Sequence, residues 1–348
     1  MTERGRSWVI AASILIVLLV AAAVLVPIPF VARAPGPVFD ILGEVDGKPV
    51  LTVSGTRSYP TTGILDMTTV SETGGSAGPM NVGSALAGLF ATDTSVLPDE
   101  NPRDESQRQV DEAIFDESQS AALGAAAAHL GRPVRSAVTV LQVVPGGASD
   151  GRLVAGDVIR SIDGEQVKRR SQISETISEQ PVGTSFELGI ERDGKPMLVT
   201  VTSAPDPDEP ERPVIGILVD EQYTSDFTVD VGLDNIGGPS AGLMLAVGMV
   251  DKLTPGDLLA GATVAGTGTI TGAGAVGPIG GIDKKMIAAQ DAGAQLFVAP
   301  AENCAEVLSA TPAGLTVVPV KTLDDTIAAL ESWRAGKALP GCPRTGDE

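Results

Sequence analysis

Asn235-Ile236-Gly237-Gly238-Pro239-Ser240-Ala241-Gly242-Leu243-Met244 sets a serine among small residues at the mouth of an apolar run. Further along, Pro278-Ile279-Gly280-Gly281-Ile282-Asp283-Lys284-Lys285 delivers two lysines to the start of a helix-like segment, Asp283 to Ala292, closed by Gly293. A serine hydroxyl needs a neighbour that takes its proton before it becomes a useful nucleophile. The chain has one histidine, His129, in a distant alanine-rich stretch, so lysine is the available base. Lysine serves at neutral pH only if burial disfavours its charge, and a glycine-rich apolar approach to a helix N-terminus favours that. Lys284 competes with Lys285; neighbours on a helix point about 100° apart, so one faces the site and the other solvent. Pro239 predicts a helix from that residue to about Lys252, whose first turn offers unpaired N–H groups to an oxyanion; Gly238 and Ala241 are the candidate donors.

Outward from this pair, the N-terminal run Trp8 to Val26 carries no charge and, at 1.5 Å per residue, is about 28 Å long, roughly one hydrocarbon core. Arg4 and Arg6 precede it and Asp40, Glu44 and Asp46 follow, which predicts a single-pass anchor with a cytoplasmic N-terminus and the rest exported. A cleaved signal peptide, ending near Ala21-Ala22-Ala23, is the competing expectation. Export makes a disulfide between Cys304 and Cys342 feasible, with two buried thiols as the alternative. A net charge of −20 argues against nucleic acid as a partner, and one histidine with two distant cysteines cannot supply a tetrahedral metal set. No cofactor is expected, and no Gly-x-x-x-x-Gly-Lys-Ser/Thr phosphate loop occurs.

Between these ends, Pro49 to Ser54 and Gly63 to Val70 read as strands, Ser71 to Arg108 as loop or mobile insertion, and Gln107 to Leu130 as a helix ended by Gly131 and Pro133. Residues 134–203 have their own punctuation: a strand Val138 to Val144, then Ala155-Gly156-Asp157-Val158-Ile159, Ile162-Asp163-Gly164, a helix from about Arg170 to Glu179, and two strands around Arg192-Asp193-Gly194-Lys195. This order resembles a bacterial protease-type PDZ domain. The resemblance implies capture of an extended peptide or protein C-terminus on a sheet edge, in a groove between the Val138–Val144 strand and the Ile173/Ile177 helix, lined by Val138, Val140, Ile173 and Ile177. Leu130 to Ser136 is the candidate carboxylate-binding loop. An acidic, proline-rich segment, Pro205 to Glu211, reads as a solvated linker to a last domain, where Ile215 to Val219 and Phe227 to Val231 are strand candidates.

With Gly238-Pro239-Ser240-Ala241-Gly242, Gly266-Thr267-Gly268-Thr269-Ile270-Thr271 and Pro278 to Lys285 in one order, the C-terminal part resembles the proteolytic domain of Lon peptidases. The resemblance implies Ser240 as nucleophile, Lys285 as base and Thr267 as the hydroxyl that orients the lysine. Gly237 stands where bacterial Lon enzymes carry an acid, and the segment from Ser240 to Thr267 is about two residues longer than the family's. Over most of residues 8 to 335 the arrangement resembles the membrane-anchored, PDZ-containing Lon-like proteases of Gram-positive bacteria. It implies an α+β fold with a PDZ module inserted into the proteolytic body, so that early strands around Leu51 to Val70 pair with the sheet formed after Pro213. The expected division is 1–7 cytoplasmic, 8–26 transmembrane, 34–120 first part of the protease body, 121–205 PDZ, 206–335 proteolytic and 336–348 tail. The implied activity is an ATP-independent serine endopeptidase acting on unfolded or exported proteins at the outer face of the cell membrane, and the resemblance to Lon-type domains implies a homo-hexamer. A non-catalytic PDZ peptide-binding surface scaffold is the alternative.

Overall fold

The computed structural model describes residues 3–74, 80–99, 105–233 and 236–343, with the side chains at 3–7, 9–11 and 105–109 outside the description. In chain order, α1 (Glu3–Leu25) is followed by β1 (Phe30–Asp40), β2 (Leu51–Ser54), β3 (Ile64–Thr73), α2 (Val82–Phe90), β4 (Ser95–Pro98) and α3 (Glu105–His129). Then come β5 (Arg135–Val143), β6 (Val158–Ile162), α4 (Arg170–Ser178), β7 (Ser185–Arg192), β8 (Lys195–Thr202), β9 (Ile217–Thr224) and β10 (Thr228–Val231). The remainder is α5 (Gly242–Leu253), β11 (Thr263–Gly266), α6 (Ile282–Asp291), β12 (Leu296–Pro300), α7 (Cys304–Ala310), β13 (Thr316–Val320) and α8 (Leu323–Arg334).

One sheet runs β13-β12-β11-β3-β1-β4, parallel from β13 to β3 and antiparallel beyond. The early β3 pairs with the late β11, Leu65 opposite Val264, and β2 pairs with β10, so the first hundred residues and the last hundred share one body. α5 is apolar on every side, as a helix enclosed by protein must be. It is buried against the Leu65, Val264, Leu296, Val298 and Val318 face of the sheet, with α3 and α8 beside it. The opposite face, through Ala265, Phe297 and Ala299, packs on Ile282, Met286 and Ala289 of α6 and Val307 of α7. Cys304 and Cys342 form a disulfide that ties the C-terminal segment to α7.

A second sheet, β8-β7-β6-β5-β9, encloses a separate core of Val138, Val140, Ile159, Ile173, Ile177, Phe186, Leu188 and Val201. Its edge strand β9 was expected in the last domain, yet it pairs with β5 from Ile217↔Val143 to Thr224↔Arg135. Both domains can use an apolar run such as Ile215 to Val219, and the run itself carries no mark of the sheet it joins.

The segment expected as loop or mobile insertion contains α2 and β4. Asn81 and Ser84 cap α2 reciprocally, the Asn81 side chain accepting from the Ser84 N–H at 2.8 Å and the Ser84 hydroxyl from the Asn81 N–H at 3.0 Å. Among the described residues no helix is long and apolar enough to cross a membrane. In α1 the described side chains are Trp8 and Ala12 to Leu25, mostly exposed, so the membrane span expected over Trp8 to Val26 gains no support from the described fold.

Candidate active site

Ser240 lies in the turn just before α5, which begins at Gly242 and not at Pro239 as expected. Gly238 adopts φ +85°, a conformation that favours glycine, and so lets the chain turn sharply into Pro239 and Ser240. The Ser240 carbonyl is gripped twice from the end of β11, by the Gly268 N–H at 2.9 Å and the Thr267 hydroxyl at 3.1 Å. Gly268 returns its own carbonyl to the Leu243 N–H at 3.1 Å.

Lys285 comes from the other side of the sheet. Gly281, at φ +69°, starts α6 in the left-handed region, and a Cβ there would lie 2.9 Å from Val70 of β3. One turn in, Lys285 is only 3% exposed, and its Nζ lies 2.8 Å from Ser240 Oγ and 3.0 Å from Thr267 Oγ1. The Thr267 hydroxyl accepts from the lysine and donates to the Ser240 carbonyl, which fixes both of its roles. Burial brings the Lys285 pKa down to about 8. Lys284 is not turned to solvent as expected: it too is buried, with its ammonium 3.1 Å from Asp283. The three residues singled out by sequence, Ser240, Thr267 and Lys285, are thus within mutual hydrogen-bonding reach. The arrangement can move a proton from a serine hydroxyl to a neutral amine. Asn235, in the same motif, lies outside the described residues.

Of the two expected oxyanion donors, Gly238 is corrected. Its N–H is spent on the Asp111 carbonyl of α3 at 3.0 Å. Ala241 N–H makes no hydrogen bond among the described residues and precedes the positive end of α5. α3 also holds the next residue, Ser118 donating to the Pro239 carbonyl at 3.0 Å. A side chain at Gly237 would meet Asp111 Cβ at 2.9 Å, so α3 leaves little room for anything larger than glycine there. Asp111 and Ser118 were not foreseen; a helix's polar residues give no sequence signal of which distant carbonyl or N–H they face. His129 ends α3 and pairs with Asp324 at 2.5 Å, away from this site.

The expected PDZ groove is corrected as well. Val138, Val140, Ile173 and Ile177 are buried in the domain core, and β5 is flanked on both sides, by β6 and β9. On the side of β5 and α4 the sheet ends at β9, an edge strand entered through Ile215-Gly216 with Gly216 at φ +68° rather than through Leu130 to Ser136. Val140 directs its N–H to Asp157 and its carbonyl to Gly156, so its partner Val219 turns its main-chain groups to the open side. Glu221 and Tyr223 follow at every second residue. Tyr223 N–H is already taken by Ser120 of α3 at 2.7 Å, leaving Val219 and Glu221 along the edge. α4 stands beside them, its first N–H, at Arg170, bound to the Glu221 carboxylate at 2.9 Å. Arg170 also pairs with Glu117 of α3 at 2.5 Å. Burial raises the Glu117 pKa, Arg170 opposes the rise, and Asp220 and Glu221 add to it.

Residues 226–331 match the Lon protease (S16) C-terminal proteolytic domain, and residues 121–202 match the PDZ domain. The Lon protease of Campylobacter concisus is 28% identical over 183 residues, 50% of this chain and 22% of that protein. The Lon protease of Geobacter metallireducens is 41% identical over 100 residues, 28% of this chain and 12% of that protein. The chain therefore spans less than a quarter of the length of these curated relatives. The PDZ domain of the SdrC-like protein from Listeria monocytogenes is 26% identical, covering 24% of this chain and 85% of that one, with a TM-score of 0.22. On the strength of the two family matches, this chain carries a Lon-type (S16) proteolytic segment and a PDZ domain.

Proposed function

We propose that the chain is a serine endopeptidase working through a Ser240–Lys285 dyad. The observation that carries this reading is the 2.8 Å contact between Lys285 Nζ and Ser240 Oγ, with the lysine buried and its pKa lowered to about 8. Neutral Lys285 takes the Ser240 proton as Oγ attacks a peptide carbonyl carbon, and Ala241 N–H faces the oxyanion. The ammonium then returns that proton to the departing amine. Lys285 next deprotonates the water that hydrolyses the acyl-enzyme. Thr267 holds the lysine in line throughout.

Unfolded or exported proteins are the chain's proposed substrates, cleaved by these 348 residues without ATP, since no phosphate loop occurs within them. The open Val219–Glu221 edge beside α4 supports capture of an extended peptide or C-terminus by strand addition. The uncharged Trp8 to Val26 run supports an N-terminal anchor, with the catalytic body on the outer face. The test is casein cleavage by the purified full chain without ATP, beside Ser240→Ala and Lys285→Ala. Cleavage lost in both variants supports the dyad; cleavage retained by Ser240→Ala contradicts it.

A further inference from the structure

α2 is built inside out for a helix in water. Its inner face is small: Ala85 is buried, and Gly88 sits so close to β4 that a Cβ would lie 2.8 Å from Val96. Its outer face is large and apolar, with Val82, Leu86, Leu89 and Phe90 exposed by 36%, 50%, 65% and 86%. The spacing i, i+4, i+7, i+8 is the stripe that a helix normally turns to an apolar environment. The sequence around it, from Thr73 through Thr92, carries no charge in a chain whose net charge is −20.

The position of this face says what covers it. Pro27 and Ile28, directly after α1, pair with Asn81 and Met80, directly before α2. The start of α2 is therefore stapled to the end of α1, whose described side chains from Ile14 to Leu25 are themselves apolar and mostly exposed. We infer that α2 lies in the headgroup–acyl boundary of a bilayer, with Leu86, Leu89 and Phe90 inserted beside the point where α1 leaves it. This rests on the proposed membrane anchor. A short helix with an uncharged, apolar outer face binds by burying hydrocarbon, so zwitterionic lipid suffices and anionic lipid adds nothing. The contact would fix the angle at which the proteolytic body stands on the membrane.

The test uses the full chain in phosphatidylcholine vesicles. The two native cysteines are disulfide-bonded, so an introduced cysteine is the single reactive thiol. An environment-sensitive nitrobenzoxadiazole label is attached to Leu89→Cys, to Val17→Cys in α1, or to Asp193→Cys at the exposed tip of the β7–β8 hairpin. The Leu89 label should emit to the blue of the Asp193 label and be quenched by lipid brominated near the headgroup, while deep-brominated lipid quenches the Val17 label. A quenched Val17 label with a water-like Leu89 label overturns the inference and leaves the anchor standing. Water-like emission from both removes the anchor and the inference together. A blue-shifted Leu89 label that no brominated lipid quenches overturns it in favour of a contact between protein chains.

Discussion

Replacing Lys285 by methionine should abolish proteolysis while making the protein more stable at neutral pH. Lys285 is 3% exposed and its pKa is lowered by burial from 10.5 to about 8. A depression of that size makes the buried ammonium about 3 kcal/mol less favourable than in the unfolded chain. The sign follows from the depressed pKa: stability is fully present above the unfolded value of 10.5 and is lost as pH falls through about 8. At pH 7 the wild type bears nearly the whole cost; at pH 10 the cost shrinks to under about 1 kcal/mol. Methionine matches the lysine stem in length and carries no charge, though it gives up the bonds to Ser240 and Thr267, so a net gain of about 1–2 kcal/mol at pH 7 is expected. For a domain of this size that corresponds to roughly 2–8 °C in melting temperature. Thermal melts of both proteins at pH 7 and pH 10 read it, with the gain present at the first and absent at the second. The same pKa predicts the activity of the wild type: kcat/KM rises about tenfold per pH unit below 8 and levels above it. A pH-independent rate between 6.5 and 9, or a Lys285→Met protein less stable at pH 7 than at pH 10 relative to wild type, would refute the reasoning.

Thr267→Val should lower kcat about tenfold, the factor that about 1.4 kcal/mol of lost hydrogen bonding gives, and should move the acidic limb of the pH profile downward because the ammonium loses an acceptor. A lower rate with an unmoved limb would show a merely structural role. Asp66 pairs with Asp40 across β3 and β1, and its carboxyl is raised to about 6, first by burial and then by Asp40. Its stability contribution is present below about pH 3.8 and lost as pH rises through about 6, so Asp66→Asn should stabilise by up to about 3 kcal/mol at pH 8 and by little at pH 4, as read by chemical denaturation. Val219→Pro removes one outward N–H from the β9 edge without touching the ladder to β5, and should weaken binding of a C-terminal peptide about fivefold to tenfold by titration while leaving the melting temperature nearly unchanged.

Residues whose chemistry is tied to local spacing were legible before the structure. Ser240, Thr267 and Lys285 stand in three glycine-marked blocks and meet within 3.0 Å. The helix expected from Asp283 to Ala292 is Ile282–Asp291, and the one expected from Gln107 to Leu130 is Glu105–His129, because periodicity and a closing glycine mark both. The implied pairing of early strands with late ones also appears, in β2–β10 and β3–β11. What stayed hidden depends on long-range partners. Val138 and Ile173 have the same apolar pattern whether they line a groove or fill a core, and only the presence of β9 on the far side of β5 decides between them. The Gly238 N–H was a free donor in sequence and is a spent one in space, because Asp111 arrives from more than a hundred residues away. The α2 segment reads as loop because it is rich in glycine and serine, residues that here make a thin inner face and a cap.

Covalent labelling of the nucleophile tests the Ser240–Lys285 dyad most directly. The full chain is treated at pH 8 with a fluorophosphonate, which phosphonylates an activated serine with loss of fluoride, and the digest is read by mass spectrometry. A single adduct is expected on the peptide containing Ser240, lost in Ser240→Ala and in Lys285→Ala. An adduct on another serine in its place, or casein cleavage that continues after Ser240 is fully modified, would contradict the dyad.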